Sequence, residues 1–295
     1  MTETALRRRL RRWVIHPLEA LGAGLVLLLL RLLPVDAASG LCGAVARTLG
    51  PRLKVSDQAR RNLRRALPAL DDQAIERVVV GMWDNLGRVV GEYPHLRRLG
   101  ATRVEMVGVE HLLPLRDDGK PGVCFSGHLG NWELLPVMTA RHGVGLTNVY
   151  RATNNRHVDR LLRILRADSA ELIPKGAAGS RRVIAALGRG AHLGLLVDQK
   201  MNDGIAVPLF GRDAMTAPAL AQLALKYDCP VLPGRVERVG GAHFRMVIEP
   251  PLALPRSGDR QADTRALMAA VNRQLERWIA ARPEQWLWLH RRWPD

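Results

Sequence analysis

The sequence predicts an α/β fold: a mixed sheet covered by helices, with a membrane-anchoring helix and a helical layer ahead of it. Three observations carry this. From about residue 100, short apolar runs alternate with helical periods, which marks strands exchanging with helices. Residues 36–99 read as helices only. The N-terminus joins a run of arginines to a leucine-rich segment, a combination that suits a membrane surface. The expected division is an anchor over 1–35, a membrane-proximal helical region over 36–100 and an α/β domain over 101–295.

The first segment carries Arg7, Arg8, Arg9, Arg11 and Arg12, then Trp13, then an apolar run centred on Leu21 to Leu30 that ends near Pro34. Glu19 and Arg31 interrupt it, so it falls short of the ~20 clean apolar residues of a span. A cleaved signal peptide, a single-pass anchor and a helix lying in one leaflet all fit. The basic residues that follow (Arg47, Arg52, Lys54, Arg60, Arg61) disfavour export, and an uncleaved anchor is the preferred reading.

In the helical region, 57–66 is a basic amphipathic stretch ended by Pro68. Asp71 or Asp72 caps the next helix, whose Val78, Val79, Met82, Trp83, Leu86 and Val90 recur at helical spacing. Beyond residue 100, strands are expected at 121–126, 145–150, 192–197, 230–237 and 243–249. Helices are expected at 131–141, 155–167, 178–188, 216–227 and 262–281. Gly240-Gly241 serves as a hairpin turn between the last two strands.

Composition narrows the function. There are 44 Lys and Arg against 28 Asp and Glu, a formal net charge of +16, which implies an anionic partner: nucleic acid, an anionic membrane or a phosphorylated substrate. The three cysteines, Cys42, Cys124 and Cys229, have no metal-ligand spacing and read as small buried residues in a reducing compartment, and no metal is expected.

Four stretches carry chemistry. In the first, Cys124-Phe125-Ser126-Gly127-His128-Leu129-Gly130-Asn131-Trp132-Glu133, an apolar strand runs through a Gly-bracketed turn into a helix. On one continuous helix, positions five apart do not share a face. With His128 in the turn and Glu133 in the first helical turn, the carboxylate can fold back onto the imidazole. It would then fix the tautomer and leave the other ring nitrogen as a base. His128 could deprotonate a hydroxyl without a serine or cysteine nucleophile.

The second stretch, Tyr150-Arg151-Ala152-Thr153-Asn154-Asn155, puts Arg151 at a strand end, where ligands gather in open α/β sheets and where an arginine can hold a phosphate or a developing oxyanion. The third begins Asp198-Gln199-Lys200 and runs through Val207-Pro208-Leu209-Phe210-Gly211 to Thr216; following a buried strand, it reads as a site loop. Lys175, ahead of a helix, either meets an anionic headgroup or faces solvent. The fourth is the tail, Pro283-Glu284-Gln285-Trp286-Leu287-Trp288-Leu289-His290-Arg291-Arg292-Trp293, an aromatic and basic string.

His128-x4-Glu133 has the form of the H-x4-D/E motif of glycerolipid-type acyltransferases. The fuller string from His128 to Glu133 resembles the late acyltransferases of lipid A biosynthesis, of lauroyl and myristoyl type. Arg61-Asn62-Leu63-Arg64 and Met82-Trp83-Asp84-Asn85-Leu86-Gly87-Arg88 resemble the same family. So do the Tyr-Arg followed by Asn, the Asp-Gln…Pro-x-Phe-Gly…Thr block and the closing Pro-Glu-Gln-aromatic-x-Trp-x-His-Arg-Arg. Leu209 stands where the family carries an aromatic residue, which is expected only to alter packing.

The resemblance implies a glycerolipid-acyltransferase-like fold. It implies transfer of a fatty acyl group from acyl carrier protein to a hydroxyl of a lipid A precursor, at the cytoplasmic face of the inner membrane, with no bound cofactor. Its expected catalytic residues are His128 as base, Glu133 as the acid that orients it, and Arg151, with backbone N–H groups near Gly130 and Asn131, on the oxyanion. Expected substrate contacts are Gly130, Asn131, Asn154, Lys175, Asp198, Gln199 and Thr216; His290 is read as structural. The same chemistry on another acceptor, such as a lysophospholipid, is the nearer alternative. A nucleic-acid-binding protein is the distant one: no nucleic-acid motif occurs, and that reading leaves the leucine run unexplained.

Overall fold

A computed structural model describes residues 10–166 and 171–293. A turn of π-helix at Arg11–Ile15 leads into α1 (His16–Leu32), and Pro34 starts α2 (Val35–Leu49). Then come α3 (Ser56–Ala66), α4 (Asp72–Glu92) and α5 (Leu96–Thr102). The α/β part runs β1 (Val104–Val107), α6 (Val109–Asp117), β2 (Gly122–Ser126), α7 (Leu134–Arg141), β3 (Leu146–Tyr150), α8 (Arg156–Leu165) and β4 (Glu171–Pro174). It continues with α9 (Ala177–Gly188), β5 (His192–Leu196), β6 (Ile205–Leu209), β7 (Arg212–Thr216), α10 (Ala219–Tyr227), β8 (Val231–Gly240), β9 (His243–Ile248) and α11 (Arg260–Ala281).

Seven strands form one sheet in the order β1-β9-β8-β2-β5-β3-β4. Every neighbouring pair is parallel except the β8/β9 hairpin, so the sheet is mixed as expected. The hairpin turns at Gly241-Ala242, one residue beyond the expected pair, because Gly240 still pairs with His243; Gly241 sits at φ +50°. β2 and β5 lie at the centre with helices on both faces, and Val123 and Leu193 are fully buried there, as central parallel strands require.

Five elements were not anticipated. β1 and β4 are four-residue edge strands; β1 alternates half-buried and exposed positions, and β4 ends in Pro174, which only an edge tolerates. α6 contains Pro114. β6 and β7 form a separate antiparallel pair within the stretch read as a polar loop. Its turn is Phe210-Gly211, both at positive φ (52° and 67°), the geometry that matches hairpin twist. The backbone N–H of Phe210 donates to the Glu276 carboxylate of α11, which offsets the strain of a non-glycine residue there. Thr216 closes β7 instead of opening a helix; α10 begins at Ala219, after Pro218.

Two apolar cores flank the sheet. One gathers Leu63, Ile75 and Met82 from the helical region with Phe125, Leu193 and Val231 of the sheet and Trp278, Trp286 and Trp288 of the C-terminal part. The other joins Val35, Leu96 and Leu99 to Leu134, Phe244 and Met246. α2 lies unusually close to α4: a Cβ at Gly87 would stand 2.3 Å from the Cys42 carbonyl oxygen, and one at Gly91 2.4 Å from that of Ala38. Glycines four apart on one helix face admit this backbone contact.

α1 is different. With the preceding turn it spans Arg11–Leu32, 22 residues that contain an 18-residue window of mean hydropathy 1.8, of which only 6% is buried. By length and composition it can cross a membrane. The two charges that break its apolar run are held by the protein: the Arg31 guanidinium donates to the Pro94 carbonyl at 3.0 Å, and Glu19 accepts from Asn155 Nδ2 at 2.9 Å.

The helical layer is pinned to the sheet by a buried ion pair. Glu92, at the end of α4 and fully buried, accepts from Arg238 of β8 at 3.0 Å, from Ser39 of α2 at 2.7 Å and from Asn131 at 2.8 Å. Removing one partner strands the other charge away from water. Glu92→Ala is therefore expected to cost about 3–5 kcal/mol of stability, read as a lowered midpoint in chemical denaturation of the detergent-solubilised protein; an unchanged midpoint would contradict it.

Candidate active site

The site lies at the C-terminal edge of the central strands. Ser126 of β2 pairs with Leu196 of β5, and the Val197 N–H donates to the Ser126 carbonyl at 3.0 Å. Leaving the sheet in step, the two chains bring residues 128 and 198 side by side. Asp198, fully buried, accepts from His128 Nδ1 at 2.8 Å and from the His128 backbone N–H at 2.7 Å. The indole Nε1 of Trp286 donates to the same carboxylate at 2.7 Å. Burial alone would raise this acid's pKa. Attraction to the His128 ring when it is protonated, together with these three donors, outweighs it and holds Asp198 far below the usual carboxylate range.

An ionised carboxylate only accepts, so the His128 proton sits on Nδ1 and the lone pair on Nε2. Gln199, next to Asp198, places its amide nitrogen 3.4 Å from His128 Nε2 and 3.2 Å from His290 Nε2. An NH2 group has two hydrogens, one for each ring. The His290 ring is 5.6 Å from that of His128. Burial lowers the pKa of His290, with Asp198 opposing, so it stays neutral near pH 7.

The turn carrying His128 is over-determined. Gly130 adopts φ +53°, and a Cβ there would lie 2.1 Å from the Val236 carbonyl oxygen of β8. Its N–H donates to the Gln285 carbonyl, and its own carbonyl accepts from Asn85 Nδ2. The tail crosses the turn: Leu129 bridges to Trp286, and the Leu287 N–H donates to the His128 carbonyl at 3.2 Å. The Pro-Glu-Gln-Trp string thus fastens the turn that carries His128.

The expected partnership of His128 with Glu133 does not form. Glu133 precedes α7 and turns the other way, where Arg166, just past α8, grips it through Nε at 2.8 Å and through a second nitrogen. Trp132 Nε1 donates to it as well. His128 Nδ1 is already taken by Asp198, so Glu133 is an arginine partner rather than the orienting acid.

Other expected contacts also move. Gly130 and Asn131 are structural: Asn131 is fully buried, bonding Glu92 through Nδ2 and accepting the Glu133 N–H. Thr216 is fully buried and accepts from Arg292 at 2.8 Å, so it is a packing residue. Arg151 is exposed just beyond β3 and has no hydrogen-bond or ion-pair partner among the described residues. Asn154 is exposed on an open cleft, while its neighbour Asn155 caps α8 and bonds α1. Lys175 is exposed, close enough to help lower the His290 pKa. Asp198 and Gln199 are at the centre, but on His128.

Beside this pair an apolar cavity runs between the sheet and α7. Its floor is the side-chain row on one sheet face: Cys124 and Ser126 of β2, Asn148 and Tyr150 of β3, Gly194 and Leu196 of β5. Trp132, Leu135, Pro136 and Thr139 cover it, and Glu133 and Arg166 stand at its edge. Trp132 also meets His128 edge-on, ring centres 4.9 Å apart, so it links the cavity to the imidazole. Burial pushes the Cys124 thiol on the floor up to about 12, which makes it inert as a nucleophile.

Comparison with known proteins gives this geometry a context. The chain is 29% identical, over 298 residues, to the lipid A biosynthesis lauroyltransferase of Escherichia coli (strain K12), covering 95% of this chain and 93% of that protein. Among solved structures, the crystal structure of the 1-acyl-sn-glycerophosphate (LPA) acyltransferase PlsC from Thermotoga maritima matches with a TM-score of 0.38 and 12% identity, over 78% of this chain and 98% of that one. The family model for bacterial lipid A biosynthesis acyltransferases matches residues 6–295. That match spans the apolar N-terminal helix, the helical layer and the whole site, and the chain belongs to the bacterial lipid A biosynthesis acyltransferase family.

Proposed function

We propose that this acyltransferase moves a fatty acyl chain from acyl carrier protein to a hydroxyl of a lipid A precursor, with His128 as general base and Asp198 as the acid that orients it. One observation carries the reading. An imidazole with a buried carboxylate on Nδ1 keeps Nε2 free for a proton, and it stands beside an apolar cavity.

In this reading the acceptor hydroxyl displaces the Gln199 amide from His128 Nε2, and Gln199 keeps its contact with His290. His128 takes the hydroxyl proton as the oxygen attacks the thioester carbonyl, and Asp198 stabilises the imidazolium. The tetrahedral oxyanion collapses, the C–S bond breaks, and the imidazolium returns its proton to the carrier's thiolate. The donor's acyl chain lies in the cavity under α7, with the Glu133–Arg166 pair at its edge. Arg151, exposed and unpaired among the described residues, faces the charge that the substrates bring. α1 holds the domain at the inner membrane with the site on the cytoplasmic side, where acyl carrier protein is found.

Purified protein given acyl carrier proteins of several chain lengths and a tetraacyl lipid A precursor should add one ester-linked chain; lysophospholipid as the preferred acceptor would overturn the assignment. The two carboxylates separate by mutation. Asp198→Asn should lower kcat by roughly 10²–10⁴-fold, the usual worth of general-base help. Glu133→Gln should appear first as a lowered melting temperature, because it strands Arg166. A folded Glu133→Gln enzyme without activity, next to an active Asp198→Asn enzyme, would reverse the roles.

The depressed acid also has a pH signature. Its folded pKa lies below the unfolded value of about 3.9, so its stabilisation is present above that pH and is lost as pH falls toward the folded value. Below about pH 4 the wild type should lose stability more steeply with pH than Asp198→Asn, as measured by denaturant unfolding across that range.

A further inference from the structure

α8 is ten residues long and buries no side chain. Its arginines, Arg156, Arg160 and Arg163, recur at i, i+4 and i+7 and line one open cleft with Arg166 and Arg182. No carboxylate pairs with Arg160 or Arg163 among the described residues. On the adjoining side, α8 and α1 enclose an apolar groove between Leu21, Leu25 and Leu28 of one helix and Leu161 and Ile164 of the other. Ile164 is 63% exposed and Leu21 70%. Gly24 keeps the groove open, since a Cβ there would meet nothing within 4 Å. Arg160 and Ile164 belong to both walls, so the groove and the basic cleft meet along one line.

Both ends of α8 are tied to what matters. At its start, Asn155 donates to the His16 carbonyl at 2.7 Å and to Glu19 of α1, while its Oδ1 caps α8. At its end, Arg166 holds Glu133 at the cavity's edge. The groove thus opens along the helix that meets the membrane, and the cleft leads to the site.

We propose that the α1/α8 groove and the arginines beside it form the binding site for the acceptor lipid. One of its existing acyl chains lies along Leu21, Leu25 and Ile164, and a phosphate sits on Arg160 and Arg163. This rests on the acyl-transfer reading above and adds the acceptor's place, separate from the donor's cavity. An apolar trough bordered by unpaired guanidinium groups matches a ligand with a hydrocarbon tail and a phosphate head. It fits an acidic protein poorly, because the apolar half would stay uncovered.

The test uses the full chain in detergent micelles, with a carrier-protein donor and a bisphosphorylated, multiply acylated glucosamine disaccharide, intact or stripped of phosphate. The double variant Arg160→Gln/Arg163→Gln should raise KM for the phosphorylated acceptor roughly ten- to a hundredfold, the worth of one or two charge-assisted hydrogen bonds. It should leave KM for the donor and the use of the stripped acceptor unchanged. Gly24→Leu should raise KM for both acceptors by filling the groove. Unchanged acceptor KM in both variants overturns the proposal. So does an acceptor effect no larger than the loss of binding to phosphatidylglycerol vesicles, which would mark a general membrane surface. Should the wild type transfer nothing, native mass spectrometry with the same lipid still decides the site. Retention by the wild type and loss in the double variant uphold it; equal retention, or none by either protein, sinks it.

Discussion

A buried carboxylate against an imidazole governs this structure. Asp198 has no solvent, so its charge is supportable only while donors converge on it. His128 supplies two, from ring and backbone, and Trp286 the third. The acid and its donors come from three parts of the chain: Asp198 from the loop after β5, His128 from the turn after β2 and Trp286 from the C-terminal tail. Satisfying one acid therefore fixes three segments relative to one another. The geometry around His128 and the local fold become the same constraint.

The second buried acid extends this logic. Glu92 ties α2, α4, β8 and the Asn131 turn together with partners that are themselves buried. Between them the two carboxylates hold the turn from His128 to Glu133 from both sides, and Gly130, pressed against β8, allows the chain to pass. Much of the polar character of the strings that resemble the family is therefore structural. Asn62 donates to the Trp288 and His290 carbonyls, Asn85 to the Gly130 carbonyl, and Arg292 to Thr216. Such groups persist inside a protein because every one is hydrogen-bonded.

The apolar helix α1 is joined to the site through α8. Glu19, a defect in an apolar run when read linearly, is the acceptor that docks Asn155. Arg31 reaches a backbone carbonyl at the other end. With both charges of its apolar run held by its own protein, α1 keeps an apolar outer surface. The same contact sets α8, and with it Arg166 and Glu133, at a fixed depth beside the cavity.

The sequence by itself determined the fold class, the central strands, most of the helices, the apolar N-terminal helix and the turn that carries His128. These are local: strand alternation, helical spacing, Gly-Gly at a hairpin and a histidine between glycines act within a few residues. It did not show the partner of that histidine. Glu133 was the nearest acid along the chain, whereas Asp198 is 70 residues away and arrives only because β5 pairs with β2 in register. The short edge strands β1 and β4 and the Phe210-Gly211 hairpin were invisible for a related reason, since pairing, not composition, makes them strands. Which polar residues face substrate and which are spent on the core was likewise decided in three dimensions, because burial depends on what distant segments bring to the same place.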